Sequence, residues 1–104
     1  MKIRYSINLR ANEYGCFYVT NLKKDGFIMK DFAYKKCYIE YFFQRLDVVL
    51  DRGVLIRVTG KVSRNDIESY INKCFINKSS KFENAFTMCK NVLKNVLVFP
   101  GENE

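Results

Sequence analysis

From Lys2 to Arg10 the chain alternates without a break, with Ile3, Tyr5, Ile7 and Leu9 on one side and Lys2, Arg4, Ser6, Asn8 and Arg10 on the other. Successive side chains of an extended backbone project to opposite faces, so this pattern specifies a strand with one apolar and one polar face. A strand of that kind needs sheet neighbours and something to cover its apolar side. The rest of the chain must supply both.

Ala11-Asn12-Glu13-Tyr14-Gly15 carries turn chemistry, and Cys16 to Leu22 follows as a second β-rich run, so an antiparallel hairpin is the natural pairing. Asp25-Gly26 favours the φ > 0 geometry of a short hairpin loop and returns the chain through Phe27 to Lys30 as a third strand. From Phe32 to Arg52 the period becomes helical, with Ile39, Phe42, Phe43, Leu46, Val49 and Leu50 on one stripe, Asp31 as a cap and Gly53 as a terminator. Val54 to Val62 alternates again, with Val54, Ile56, Val58 and Val62 inward and Leu55, Arg57, Thr59 and Lys61 outward. Ser63-Arg64-Asn65-Asp66 and Ser80-Lys81-Phe82-Glu83 each resemble a capping box and open two further helices. The second has core positions Phe82, Ala85, Phe86, Cys89, Val92, Leu93 and Val96, and the run from Val96 to Phe99 reads either as the end of that helix or as a short docking strand.

The expected fold is therefore α+β, a small antiparallel or mixed sheet in the order β-β-β-α-β-α-α with helices packed on one face. A chain of 104 residues, 48% hydrophobic, is one domain with a core of its own, ending in a short polar tail at 101–104. Its apolar runs fall far short of the roughly 20 residues of a membrane span. The alternating N-terminus has no continuous apolar stretch of the secretory kind, so the cytoplasm is the expected compartment.

Catalysis has little to work with. The chain has no histidine, which removes the commonest general base and a frequent metal ligand. Cys16, Cys37, Cys74 and Cys89 are widely spaced, with no Cys-x-x-Cys pair, and read as reduced small hydrophobes. No glycine-rich phosphate loop is present; Gly60-Lys61 stands alone. The expectation is a protein that is not an enzyme and has no metal and no cofactor.

The charge points to acidic partners. Eighteen Lys and Arg stand against 11 Asp and Glu, a formal +7. Lys2, Arg4 and Arg10 share the polar side of the first strand, and Arg57 and Lys61 that of the fourth, with Tyr18 and Thr20 able to join from the second. No acid interrupts either polar row. Cations neutralise phosphates and an exposed ring stacks on a base, so this set reads as a nucleic-acid-binding sheet face; the alternative is a wet sheet face kept basic for solubility. Lys90 and Lys94, one helical turn apart, form with Lys78 and Lys81 a second basic strip that is either a solvated helix side or an extension of the same footprint. Tyr34, Tyr38 and Tyr41 make the first long helix rich in rings with polar tips, suited to a core boundary, a partner surface or a homodimer interface.

In its small size and Lys- and Asn-rich composition the chain resembles accessory proteins of phages and mobile elements. That resemblance implies the alternative to direct nucleic-acid binding, a stoichiometric inhibitor or adaptor. Such a protein, anti-CRISPR-like or otherwise anti-defence, would bind a host nuclease, a nucleoprotein complex or another acidic or nucleic-acid-handling protein.

Overall fold

The computed structural model describes residues 2–29, 37–50 and 53–101. Among them lie β1 (Lys2–Ala11), β2 (Phe17–Lys24), β3 (Phe27–Ile28), α1 (Ile39–Val49), β4 (Val54–Gly60), α2 (Arg64–Phe75), a 3-10 turn (Ser80–Phe82), α3 (Glu83–Leu93) and β5 (Val96–Pro100). The sheet order is β3-β2-β1-β4-β5. The β1–β2 and β2–β3 pairs are antiparallel, whereas β1–β4 and β4–β5 are parallel. Parallel neighbours need a crossover, and α1 supplies the one into β4 while α2 and α3 supply the one into β5. The result is the α+β fold that the sequence predicts, with a mixed sheet.

One apolar cluster joins the three helices to a single face of the sheet. Ile7, Leu9, Val19, Ile56, Val58 and Val96 contribute from the strands, Ile39, Phe42, Phe43 and Leu46 from α1, Ile67 and Ile71 from α2, and Cys89, Val92 and Leu93 from α3. β1 sits in the middle, and the helices cover Tyr5, Ile7 and Leu9 of its apolar row. Among the described residues no helix is long and apolar enough to cross a membrane.

Several local expectations hold and several are corrected. Asp25 and Gly26 both take positive φ, 52° and 85°, as a tight hairpin turn requires. Ser63 and Asp66 form a true capping box: the Asp66 amide donates to Ser63 Oγ at 3.1 Å and the Ser63 amide to Asp66 Oδ2 at 2.9 Å. Donation to the charged carboxyl by the Ser63 amide, and then by the Ser63 side chain, lowers the Asp66 pKa. The second box does not form. The Glu83 amide that Ser80 Oγ would need donates instead to the Ser80 carbonyl, a 3-10 bond, and α3 opens two residues later with Phe82 at its cap.

The long helix starts later than its periodicity suggests. Cys37 and Tyr38 are extended beside β2, where the Val19 amide donates to the Cys37 carbonyl at 2.8 Å and Tyr18 bridges Tyr38. Asp31, Phe32 and Tyr34 lie outside the described residues. The final run, open between helix end and strand, is the strand β5.

Candidate functional site

Register decides which polar side chains meet on the face away from the helices. Asn8 pairs with Thr20 on one side and Thr59 on the other, and Thr59 pairs with Phe99, so a single rung crosses four strands. Arg10 pairs with Tyr18, and Ser6 with Arg57, whose partner on β5 is Leu97. Paired residues share a face, so Arg10, Tyr18, Arg57 and Leu97 flank that rung, which ends in Phe99.

Two irregularities redistribute the other cations. Between Ile3 and Tyr5 the β1–β4 register slips, so Arg4 opposes no single β4 residue. Ile3 then shares the open face with Leu55 and is 44% exposed, while Lys2 pairs with Val54 and falls on the helix side. Arg4 forms an ion pair of 3.5 Å with Asp25, whose amide donates to the Arg4 carbonyl. The second irregularity is on β2, where Asn21 takes φ 53° and is the extra residue. It reverses the alternation, so Leu22 turns into the core and Lys23 joins Ser6 on the open face. Of the sequence-derived set, Arg10, Tyr18 and Arg57 come together, Lys2 and Arg4 are drawn away, and Lys61 lies just beyond the end of β4, exposed. Lys23, Leu97 and Phe99 are additions. For Phe99 the period-two spacing with Leu97 was a usable signal; for Lys23 there was none, because a bulge is a property of the paired strand.

The centre of this face is polar and tightly held. Asn8 is 1% exposed and Thr59 is 0%. The Thr59 hydroxyl donates to Asn8 Oδ1 at 2.9 Å, the Asn8 amide donates to Thr20 Oγ1 at 3.3 Å, and the Thr20 hydroxyl donates back to the Asn8 carbonyl at 3.0 Å. Such a network holds the strands in one register and so sets the spacing of the long side chains around it. The Arg57 guanidinium lies 4.8 Å from the centre of the Phe99 ring, a cation–π contact that presents charge and a planar surface together. None of the five strands contains an Asp or Glu.

The second basic strip divides between the ends of α3. Lys78 and Lys81 stand over the Phe82 ring at 5.8 and 5.2 Å. Lys90 and Lys94 line an open groove between α2 and α3 with Arg64, Glu68 and Asn72. Of the tyrosine set, Tyr34 lies outside the described residues. Tyr38 is tied to β2 and accepts a long 3.5 Å bond from the Asn12 amide, whereas Tyr41 is exposed on α1.

A second polar constellation, unforeseen in the sequence, lies on the helix side. Glu40 accepts bonds from the Tyr70 hydroxyl at 2.8 and 3.0 Å and from the Cys74 thiol at 3.2 Å, beside an open cleft of about 510 Å³ that includes Cys16 and Phe17. Burial, then the Glu40 bond, pushes the Tyr70 pKa far up and the Cys74 thiol up to about 12. Burial likewise pushes Cys89 up to about 12 and raises Cys37. All four thiols are free of disulfides. Those of Cys37, Cys74 and Cys89 keep their protons at neutral pH and are poor nucleophiles. The cluster acts as a clasp between α1 and α2. Among the described residues no three Cys, Asp or Glu side chains gather as a metal site.

No protein-family model matches this chain, and neither the curated proteins nor the solved structures contain a match to it.

Proposed function

We propose that this domain is a non-enzymatic binder of nucleic acid that grips its ligand through the open sheet face, with the cytoplasm as the expected compartment. The observation that carries the reading is the adjacency of β1 and β4, which gathers Arg10, Arg57 and Lys23 with Tyr18 and Phe99 on strands that contain no carboxylate. Cations on such a surface neutralise phosphates and release counterions, and rings or a stacked guanidinium meet bases or sugars. The raised pKa values of Cys37, Cys74 and Cys89 support a role that does not use these three thiols as nucleophiles.

The test is fluorescence anisotropy of labelled single-stranded and duplex oligonucleotides at rising salt. Three phosphate contacts predict a log–log salt slope of about 2 to 3. Arg10→Ala with Arg57→Ala should remove most of that slope. Absence of salt-sensitive binding to any oligonucleotide at low ionic strength overturns the proposal. A protein partner from host lysate that survives nuclease treatment would favour the inhibitor or adaptor reading instead.

A further inference from the structure

We infer that the groove between α2 and α3 is a second phosphate-contact site, which takes the continuation of a nucleic-acid strand bound on the open sheet face. The inference rests on the nucleic-acid reading and adds a location and a length requirement to it. The groove is about 280 Å³ in volume and is lined by Arg64, Glu68, Asn72, Lys90 and Lys94 among others. Its three cations outnumber its single carboxylate, and that carboxylate is already engaged: Arg64 Nε donates to Glu68 Oε1 at 3.0 Å. Among the described residues neither Lys90 nor Lys94 forms an ion pair. Lys90 rests over the Phe86 ring at 4.3 Å, which leaves its ammonium donors available to an anion.

Arg64 makes the groove continuous with the sheet. Its Nη1 donates to the Val96 carbonyl at 2.9 Å and its Nη2 to the Leu93 carbonyl at 2.7 Å, so the guanidinium spans the junction between the end of α3 and the start of β5. The next residues of that strand, Leu97 and Phe99, lie on the open face beside Arg57. Arg64 uses three of its five N–H donors in these bonds and is 46% exposed. β5 is the last strand of the sheet, so no further strand stands between face and groove. A polyanion leaving Arg57 meets Arg64 at this edge and then Lys94 and Lys90. A single strand suits this path because its backbone can turn around a sheet edge within a few nucleotides, which a stiff duplex resists.

The experiment compares oligothymidylates and oligouridylates of about 6 and about 20 nucleotides, short and long relative to the usual site sizes of single-strand-binding domains. They are titrated against wild type, Lys90→Ala/Lys94→Ala and Arg10→Ala/Arg57→Ala. Both lysines are exposed, Lys90 on α3 and Lys94 at its C-cap in helical conformation, and alanine is a good helix former, so the fold is retained. The lysine pair should weaken the long oligomers roughly tenfold, lower their salt slope by about 1.4 and leave the short ones unchanged. Equal losses at both lengths would mean that the lysines need no continuation of the strand, and no loss at either would make them an ordinary solvated helix end; each result overturns this inference alone, provided that Arg10→Ala/Arg57→Ala still abolishes binding. Failure of the wild type to bind either length overturns the sheet-face reading and this one together.

Discussion

The two faces of the sheet are built from the same strands and solve different problems. On the helix side Ile7, Leu9, Ile56 and Val58 are held by close apolar packing against three helices. On the other side the central rung is held by directional bonds among Thr20, Asn8 and Thr59, and around it stand cations and rings. Apolar packing contributes stability in proportion to buried area and is non-directional. A hydrogen-bonded rung contributes less, but it tolerates only one register. The two sides divide the labour: one holds the fold, the other holds the positions of the charges.

The division can be broken most forcefully on the apolar side. Ile7→Ala empties a fully buried site between sheet and helices and should cost about 2–5 kcal/mol in denaturant unfolding. Asn8→Ala removes both side-chain bonds of the rung and leaves the Thr59 hydroxyl with only a 3.3 Å bond to the Ile7 carbonyl. About 1–3 kcal/mol is expected, with a larger loss of oligonucleotide affinity than the stability change explains. If Asn8→Ala alters stability but not affinity, the rung is structural only. Ser63→Ala should cost about 1 kcal/mol through the lost cap, with no effect on binding to short oligomers. The smallest stability effect is expected for Arg10→Ala/Arg57→Ala, within about 0.5 kcal/mol per site, although it should have the largest effect on binding. A large loss of stability there would mean that the face is held by its cations.

The thiols give a pH test of the helix side. Cys74 and Cys89 have an ordinary value of 9.0 and are pushed up to about 12 in the folded protein. The unfolded chain therefore loses these protons first as pH rises. Their contribution is present in full below about 9 and is lost as pH climbs toward about 12, which urea unfolding at stepped pH would record. Alkylation by iodoacetamide at pH 8 should likewise be slow in the native protein and fast in urea. Rapid native labelling of Cys74 would contradict the clasp with Glu40.

How much of this was legible beforehand follows from the range of the forces involved. The strand Lys2–Ala11, the Asp25-Gly26 turn and the box from Ser63 to Asp66 were readable, because alternation, positive-φ preference and a cap three residues long act between near neighbours in sequence. The same kind of local reading failed at Ser80, where a hydroxyl and a backbone carbonyl compete for one amide. It also extended a helix through Cys37 and Tyr38, which β2 draws into the sheet.

What the sequence determined by itself was the α+β class, the apolar stripes that become the core, and a strand set without carboxylates. Only the tertiary structure decided that β1 and β4 are neighbours, that a slip at Arg4 removes Lys2 from the cationic row, that a bulge at Asn21 brings Lys23 in, and that Glu40 meets Tyr70 and Cys74. Pairing, register and bulges belong to two segments at once, and a one-residue slip moves every following side chain to the opposite face. A linear pattern records which residues alternate. It does not record against what they are counted.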